Sequence, residues 1–414
     1  MSENCFLPAN ILLPSGCDMH KWAVIACDQF TSDRAYWERV YATAGDSPST
    51  VHMILPEAEL GAPDEDQRIA RINRTMQEYL DRGVFEEYEN CYVYVERELE
   101  NGTIRKGLVG MIDLDSYDYN VGSVSAVRAT EKTVAERIPP RQRVRRDAPV
   151  EFPHVLMLCD DHDKKLIEPV AAKKDTFKKL YDFDLMEGGG HIRGWLVRGE
   201  DAESFNAALG DYTAHVGEKY VGLEGVPMVF AVGDGNHSLA TAKSCYEELK
   251  AAHPGEDLSR HPARWALVEL ENIHDPAQVF EPIHRVVTGT DVAAMLEALQ
   301  PWCAEGGFPV KWYAGSESGT LYLDRSRSEL AVGVLQGFLD AYLRENAGEI
   351  DYIHDDDALI SLSKQSGAIG FLLPAMEKSQ LFRGVIRDGA LPRKTFSMGH
   401  SREKRYYLEG RKIK

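Results

Sequence analysis

The sequence predicts an α+β chain, in other words a mixed-sheet α/β fold, and three observations carry that expectation. Segments of helical and of strand periodicity alternate along all 414 residues. Hairpin-like strand pairs interrupt the alternation, which a regular doubly wound sheet does not allow. No repeat, low-complexity tract or Pro/Gly linker divides the chain.

Taken in order, the apolar run Trp22–Ala26 reads as a strand, and Asp33–Thr43 as a helix. Asp66–Gly83 reads as an amphipathic helix, with Ile69, Ile72, Met76 and Leu80 on one face and Gly83 as its stop. Asn90–Glu98 and Leu108–Leu114 read as strands around Asn101-Gly102, a strong hairpin signal. Thr133 and Glu136 have the spacing of a capping box for a short helix that Pro139-Pro140 ends. Val155–Leu158 and Leu166–Val170 read as a second hairpin across Asp160–Lys164. Val226–Val232 is an apolar strand and Ser238–Lys250 a helix. Strands follow near Val310–Tyr313 and Thr320–Asp324, then a helix at Leu330–Glu345, a strand at Ala368–Leu373 and a helix at Ala375–Arg387. The pattern restarts past Gln300, which suggests regions 1–300 and 301–414.

The chain carries 47 Lys+Arg against 66 Asp+Glu, a formal charge of −19. Nucleic acid and anionic membranes need a basic surface, so neither is an expected partner. The charge is uneven. Arg128–Arg146 holds seven basic and two acidic residues, and Leu391–Lys414 eight basic and two acidic. Two such islands suggest a small anionic ligand, or surfaces that neutralise acidic neighbours. The N-terminus has no secretory pattern and no apolar run approaches a bilayer span. Seven scattered cysteines with no C-x-x-C pair read as reduced thiols, so a cytoplasmic location is expected.

The sharpest local feature is the strand, glycine-rich loop and helix of Pro227–Ala242, containing Gly233-Asp-Gly-Asn-His237. Gly233 and Gly235 permit positive φ and close approach of a ligand to the main chain. A helix starting near Ser238 presents its N–H groups and positive dipole end to an anion. Asp234 is a candidate metal ligand or orienting carboxylate, and His237 a phosphate contact or proton carrier. The plainer alternative is a strand-to-helix turn capped by Asn236 or Ser238. The pattern is neither a P-loop nor a dinucleotide fingerprint, and no G-x-S-x-G, H-E-x-x-H or H-R-D motif occurs.

Cys159-Asp-Asp-His-Asp163 reads as a polar turn in preference to a metal cluster. Glu187–Gly194 reads equally as a loop over a ligand or an ordinary connector. Asp355–Asp357 reads as charge at a helix start. Asp28 and Gln29, at a strand end, are site candidates or caps of the following helix.

These pieces in this order resemble the bacterial family catalogued as domain of unknown function 1015, over most of the chain. The resemblance rests on Arg128-Ala-Thr-Glu-Lys-Thr133, Gly233-Asp-Gly-Asn-His237, Glu281-Pro-Ile-His-Arg285, Gly370-Phe-Leu-Leu-Pro374 and Leu391-Pro-Arg-Lys-Thr395. The loop also resembles the phosphate loop of the ParB/sulfiredoxin-like fold, which implies such a core with large insertions and a C-terminal α+β region. Relatives in that fold include free-serine kinases, so the resemblance implies ATP or ADP with Mg²⁺ and a small-molecule substrate. It implies Gly233, Gly235, Asn236 and Ser238 around the phosphates with Arg128, His284, Arg285 and Lys394. It further implies Glu131, Asp234, His237 and Asp28 as catalytic groups, with Asp234 on the metal. A non-catalytic nucleotide-binding regulator is the alternative. In the loop, Asn236 replaces the pattern's first His and Ser238 its Arg, so another cation must meet the phosphate. The family's His-Glu pair has become Thr130-Glu131, which keeps the carboxylate and loses the imidazole. Both basic islands are expected to fold onto the loop.

Overall fold

The protein is described as a computed structural model over residues 4–27, 30, 33–133, 138–220, 223 and 227–414. It is a mixed α/β fold whose largest sheet combines parallel and antiparallel pairs. The chain divides into two compact units. The first comprises residues 1–129, 133–278 and 400–414, and the second residues 130–132 and 279–399.

The sheet of the first unit is built from β1 (Phe6–Leu7), β2 (Ala9–Pro14), β3 (Phe85–Glu98), β4 (Ile104–Asp113), β5 (Tyr117–Asp118) and β6 (Val127–Ala129). It continues with β7 (Leu156–Cys159), β8 (Lys178–Asp184), β9 (His191–Val197), β10 (Phe230–Asp234) and β11 (Trp265–Asn272). Their order is β5-β6-β10-β7-β11-β4-β3-β9-β8, with β1 on β4 and β2 on β3. The β5/β6, β6/β10 and β7/β11 pairs are parallel. β3 and β4 form the expected hairpin, and Gly102 supplies its left-handed turn at φ +78°. Seven successive residues of β3, Cys91–Arg97, are buried, so both faces of that strand are covered. The core gathers Trp22, Val24, Val93, Val95, Phe152 and Leu408. Trp22 has no exposed surface, and its indole N–H donates to the Leu408 carbonyl at 3.0 Å. That bond lets a polar handle stay inside an apolar cluster.

Several local expectations are corrected. Trp22–Ala26 is not a strand: Met19–Trp22 is a short helix capped by Asp18, and Val24 makes an isolated bridge to Tyr407. Pro139-Pro140 does not end a helix but opens one, Ile138–Asp147. A proline in the first turn loses no hydrogen bond, because those N–H groups have no intrahelical acceptor. Glu136, half of the expected capping box, lies outside the described residues. Leu166–Val170 is not the return strand of a hairpin, since Ile167–Ala172 is helical. Pro169 cannot donate to a ladder yet fits a first turn. β7 instead pairs with β10 and β11, far away in sequence. The Asp160–Lys164 segment is the polar turn, where Asp161 Oδ2 accepts from the Leu166 N–H at 2.7 Å. Glu187–Gly194 leads from β8 into β9, so it is a hairpin connector.

The second unit holds a five-stranded antiparallel sheet in the order 317–323, 303–314, 369–372, 284–288, 349–353. Helices Ala331–Tyr342 and Lys378–Asp388 accompany it, the latter starting three residues past the expected Ala375. Asp355 caps the helix Asp356–Leu362, as the acidic run predicts. All seven cysteines are free. No helix among the described residues is long and apolar enough to cross a membrane.

Candidate functional site

In the first unit, β10 ends in Gly233 and Asp234, and the helix Asn236–Ala252 begins two residues before the expected Ser238. The hinge between them is Gly235, in the left-handed region at φ +82°. A Cβ there would lie 3.1 Å from both Cα and Cγ2 of Val155, so the turn is glycine's for two separate reasons. Neither Asn236 nor Ser238 caps the helix; the N-cap is Gly235, with no side-chain cap bond. Asn236, His237 and Ser238 are half-buried in the first turn. Such a turn carries N–H groups beyond the reach of intrahelical carbonyls and the positive end of the dipole. Of the two glycines that permit positive φ, only Gly235 adopts it. Gly233 instead lies within the strand.

Asp234 is fixed on both oxygens. Oδ1 accepts the Gly235 N–H at 2.8 Å, and Oδ2 lies 3.3 Å from Nζ of Lys404. Burial pushes its carboxyl up, but Lys404, His154 and the Gly235 N–H together hold it below the usual carboxylate range. Asp234 is therefore an anion at neutral pH. His154 in turn lies against Tyr407, their rings 5.0 Å apart. The Thr241 hydroxyl donates to the His237 carbonyl at 2.7 Å, tightening the first turn from the far side.

Lys404 and His154 are the residues that sequence reasoning missed. The only signal for Lys404 was its membership of the basic tail Leu391–Lys414. His154 lies between Pro153 and Val155, just before a strand, and gave no signal at all. Arg128 lies on β6, the parallel neighbour of β10, opposite Ala231. It is buried, and its Nε donates to the Ser125 carbonyl at 2.8 Å.

The second unit gathers three more of the motifs. Glu131 and Leu391 form a parallel bridge, the Leu391 N–H donating to the Thr130 carbonyl at 2.7 Å. Arg285 is fully buried, and its fork donates to the carbonyls of Ile283, Lys394 (2.8 Å) and Arg393 (3.0 Å) and to Gln336 Oε1 (3.1 Å). Arg285 and Arg393 both lie over the Tyr352 ring, 4.9 and 5.4 Å from its centre. Lys394 takes φ +58°, a left-handed conformation stabilised by Arg285 holding its carbonyl. His284 is buried between Asp356 (Nε2, 2.8 Å) and the Leu373 N–H, which donates to Nδ1 at 3.1 Å. Asp28 lies outside the described residues.

Fold and site together define a two-unit mixed α/β protein whose first unit carries a strand–glycine–helix junction, a geometry that can hold an anion. The chain belongs to the family of proteins of unknown function DUF1015, whose model matches residues 13–408. No curated protein matches it. Among solved structures it is similar to a free serine kinase in complex with AMP, at 12% identity over 73% of this chain and 91% of that one, TM-score 0.38. It is similar also to a conserved hypothetical protein from Pyrococcus furiosus, at 12% identity, 72% and 90% coverage and TM-score 0.34. SbnI with a C-terminal truncation, from Staphylococcus aureus, is similar at 10% identity, 70% and 83% coverage and TM-score 0.35. Similarities this distant carry none of the functional reading that follows.

Proposed function

We propose that the Gly233–Ser238 cradle binds the phosphates of a nucleotide, ATP or ADP. We further propose that the protein is a kinase transferring a phosphoryl group to a small molecule, a free hydroxy amino acid such as serine. The observation that carries the reading is the left-handed Gly235 turn opening a 17-residue helix, with the Lys404 ammonium 3.3 Å from Asp234 beside it. Phosphoryl transfer asks a protein mainly for positioning and charge neutralisation, and a helix start with a neighbouring cation supplies both. The loop's resemblance to the ParB/sulfiredoxin-like phosphate loop, shared with free-serine kinases, supports the reaction class.

In this reading Lys404 replaces the cation that Ser238 does not provide, and His237 contacts phosphate or carries a proton. Asp234 is ionised, but Lys404 and the Gly235 N–H engage its two oxygens. Mg²⁺ would therefore be held by phosphates and water, with Asp234 joining as a ligand once Lys404 turns to the phosphate. When bound, the ion neutralises phosphate charge, while Asp234 and Lys404 fix where the phosphates lie. A non-catalytic nucleotide-binding regulator is the second reading. Ser238 favours it, because the first turn lacks a forked guanidinium for the transferring group.

Calorimetric titration with ATP and ADP plus Mg²⁺, followed by ³¹P NMR with a panel of amino acids, separates the readings. A phosphorylated product supports the kinase, and binding without product supports the regulator. No nucleotide binding overturns both. Lys404→Ala removes a charge-assisted bond worth about 1.5–3 kcal/mol. It is expected to weaken nucleotide binding by about ten- to a hundredfold; unchanged affinity would remove Lys404 from the site.

A further inference from the structure

A cavity of about 160 Å³ opens beside the cradle, within the first unit and against the first turns of helix Asn236–Ala252, where Ser238 and Thr241 line it. Leu55, Met76 and Val144 contribute apolar lining, and Arg141 and His154 add positive charge and a titratable ring. His154 belongs to both places: it lines the cavity, and it helps to hold the Asp234 carboxyl below the usual carboxylate range. Also in the lining, Arg145 pairs with the buried Glu151, which has Arg411 3.3 Å away. Two guanidinium groups share one carboxylate there, so that cluster is cationic overall.

We infer that this cavity seats the base of the nucleotide whose phosphates the cradle binds, an inference that rests on the phosphate-binding reading. Size, lining and position each bear on the choice of ligand. An apolar cavity of roughly 150 Å³ holds a benzene ring, so this one admits a single aromatic ring, either a pyrimidine or the six-membered ring of a purine. The lining is apolar with a few convergent polar groups, the usual make-up of a small-molecule site. The position is decisive, because Ser238 both lines the cavity and sits in the first turn that would hold phosphate. One molecule with an aromatic end and an anionic end satisfies both. Inorganic phosphate would leave the apolar lining unused, and a free nucleoside would leave the cradle unused.

The test compares tripolyphosphate with ATP and CTP on the full chain by calorimetry. The better-fitting nucleotide is expected to bind at least tenfold tighter than tripolyphosphate. Equal affinities overturn the inference without any variant. Val144→Trp and, from a different segment, Leu55→Trp fill the cavity; circular dichroism melts establish that each is folded. Each folded variant is expected to lose at least tenfold in nucleotide affinity while binding tripolyphosphate as the parent does. Nucleotide binding unchanged in the folded variants overturns the cavity assignment and leaves the cradle standing. A parent chain that binds neither compound overturns the phosphate reading itself, and the base site with it.

Discussion

Gly235 carries two independent constraints, a φ of +82° and the 3.1 Å approach of Val155. A non-glycine residue in that conformation costs on the order of 1–3 kcal/mol. Gly235→Ala is therefore expected to lose about that much stability in urea unfolding, with the slope m unchanged; a neutral result would mean the turn relaxes freely. His191 is a second residue with a definite expectation. Its Nδ1 and Nε2 each lie 2.6 Å from a carboxylate, of Asp184 and Asp182. Burial lowers its pKa, but the two carboxylates more than offset that and raise it above the ordinary 6.5. A raised folded pKa means the contribution to stability is complete below pH 6.5 and fades as pH rises through the folded value. NMR titration of the ring is expected to show a midpoint above 6.5, and His191→Gln should abolish that part of the pH dependence. At this scale the sequence placed Asp234 and His237 at a strand-to-helix junction, because the apolar run and the glycines are local signals. It pointed to Lys404 only through the basic tail and not at all to His154, whose arrivals depend on contacts across 170 and 80 residues of chain respectively.

Among elements, periodicity was a good guide where a segment packs by its own pattern. Helix Glu65–Asp81 buries Ile69, Ile72 and Met76 as the spacing requires. The same reasoning failed where a proline's position within a turn decided the outcome, as at Pro139 and Pro169. It also failed for Trp22–Ala26, an apolar run buried by tertiary packing without strand structure of its own. The terminal segment 400–414 shows what such packing demands. Arg405 is buried with Glu269 and Glu409, and Glu409 also accepts from the Tyr181 hydroxyl. Removing one partner of a buried ion pair strands the others, at about 3–5 kcal/mol. Arg405→Met is expected to destabilise the first unit by that amount in chemical denaturation. A change below about 1 kcal/mol would place the network in the range of surface ion pairs.

Over the whole molecule, the formal charge of −19 hides how the basic islands are spent. Arg143 pairs with Glu65 and Asp66, Arg145 with Glu151 and Arg146 with Glu248, so much of the first island neutralises acidic neighbours. That plainer reading of the composition is correct for these side chains, while Arg141 lines the cavity and Lys404 reaches the cradle. Net charge could not have told the two uses apart, because both draw on the same residue types within a few positions of each other. The return of residues 400–414 to the first unit also has a consequence for biogenesis. On the ribosome, strands, loop and helix of that unit emerge long before Lys404, Arg405 and Leu408, with residues 279–399 synthesised in between. The nascent first unit must wait with the Trp22 indole N–H lacking its Leu408 acceptor and Asp234 lacking its cation until those residues are made. A message cut short between the loop and residue 404 would yield a chain that keeps the Gly235 turn but lacks the cation that pairs with Asp234.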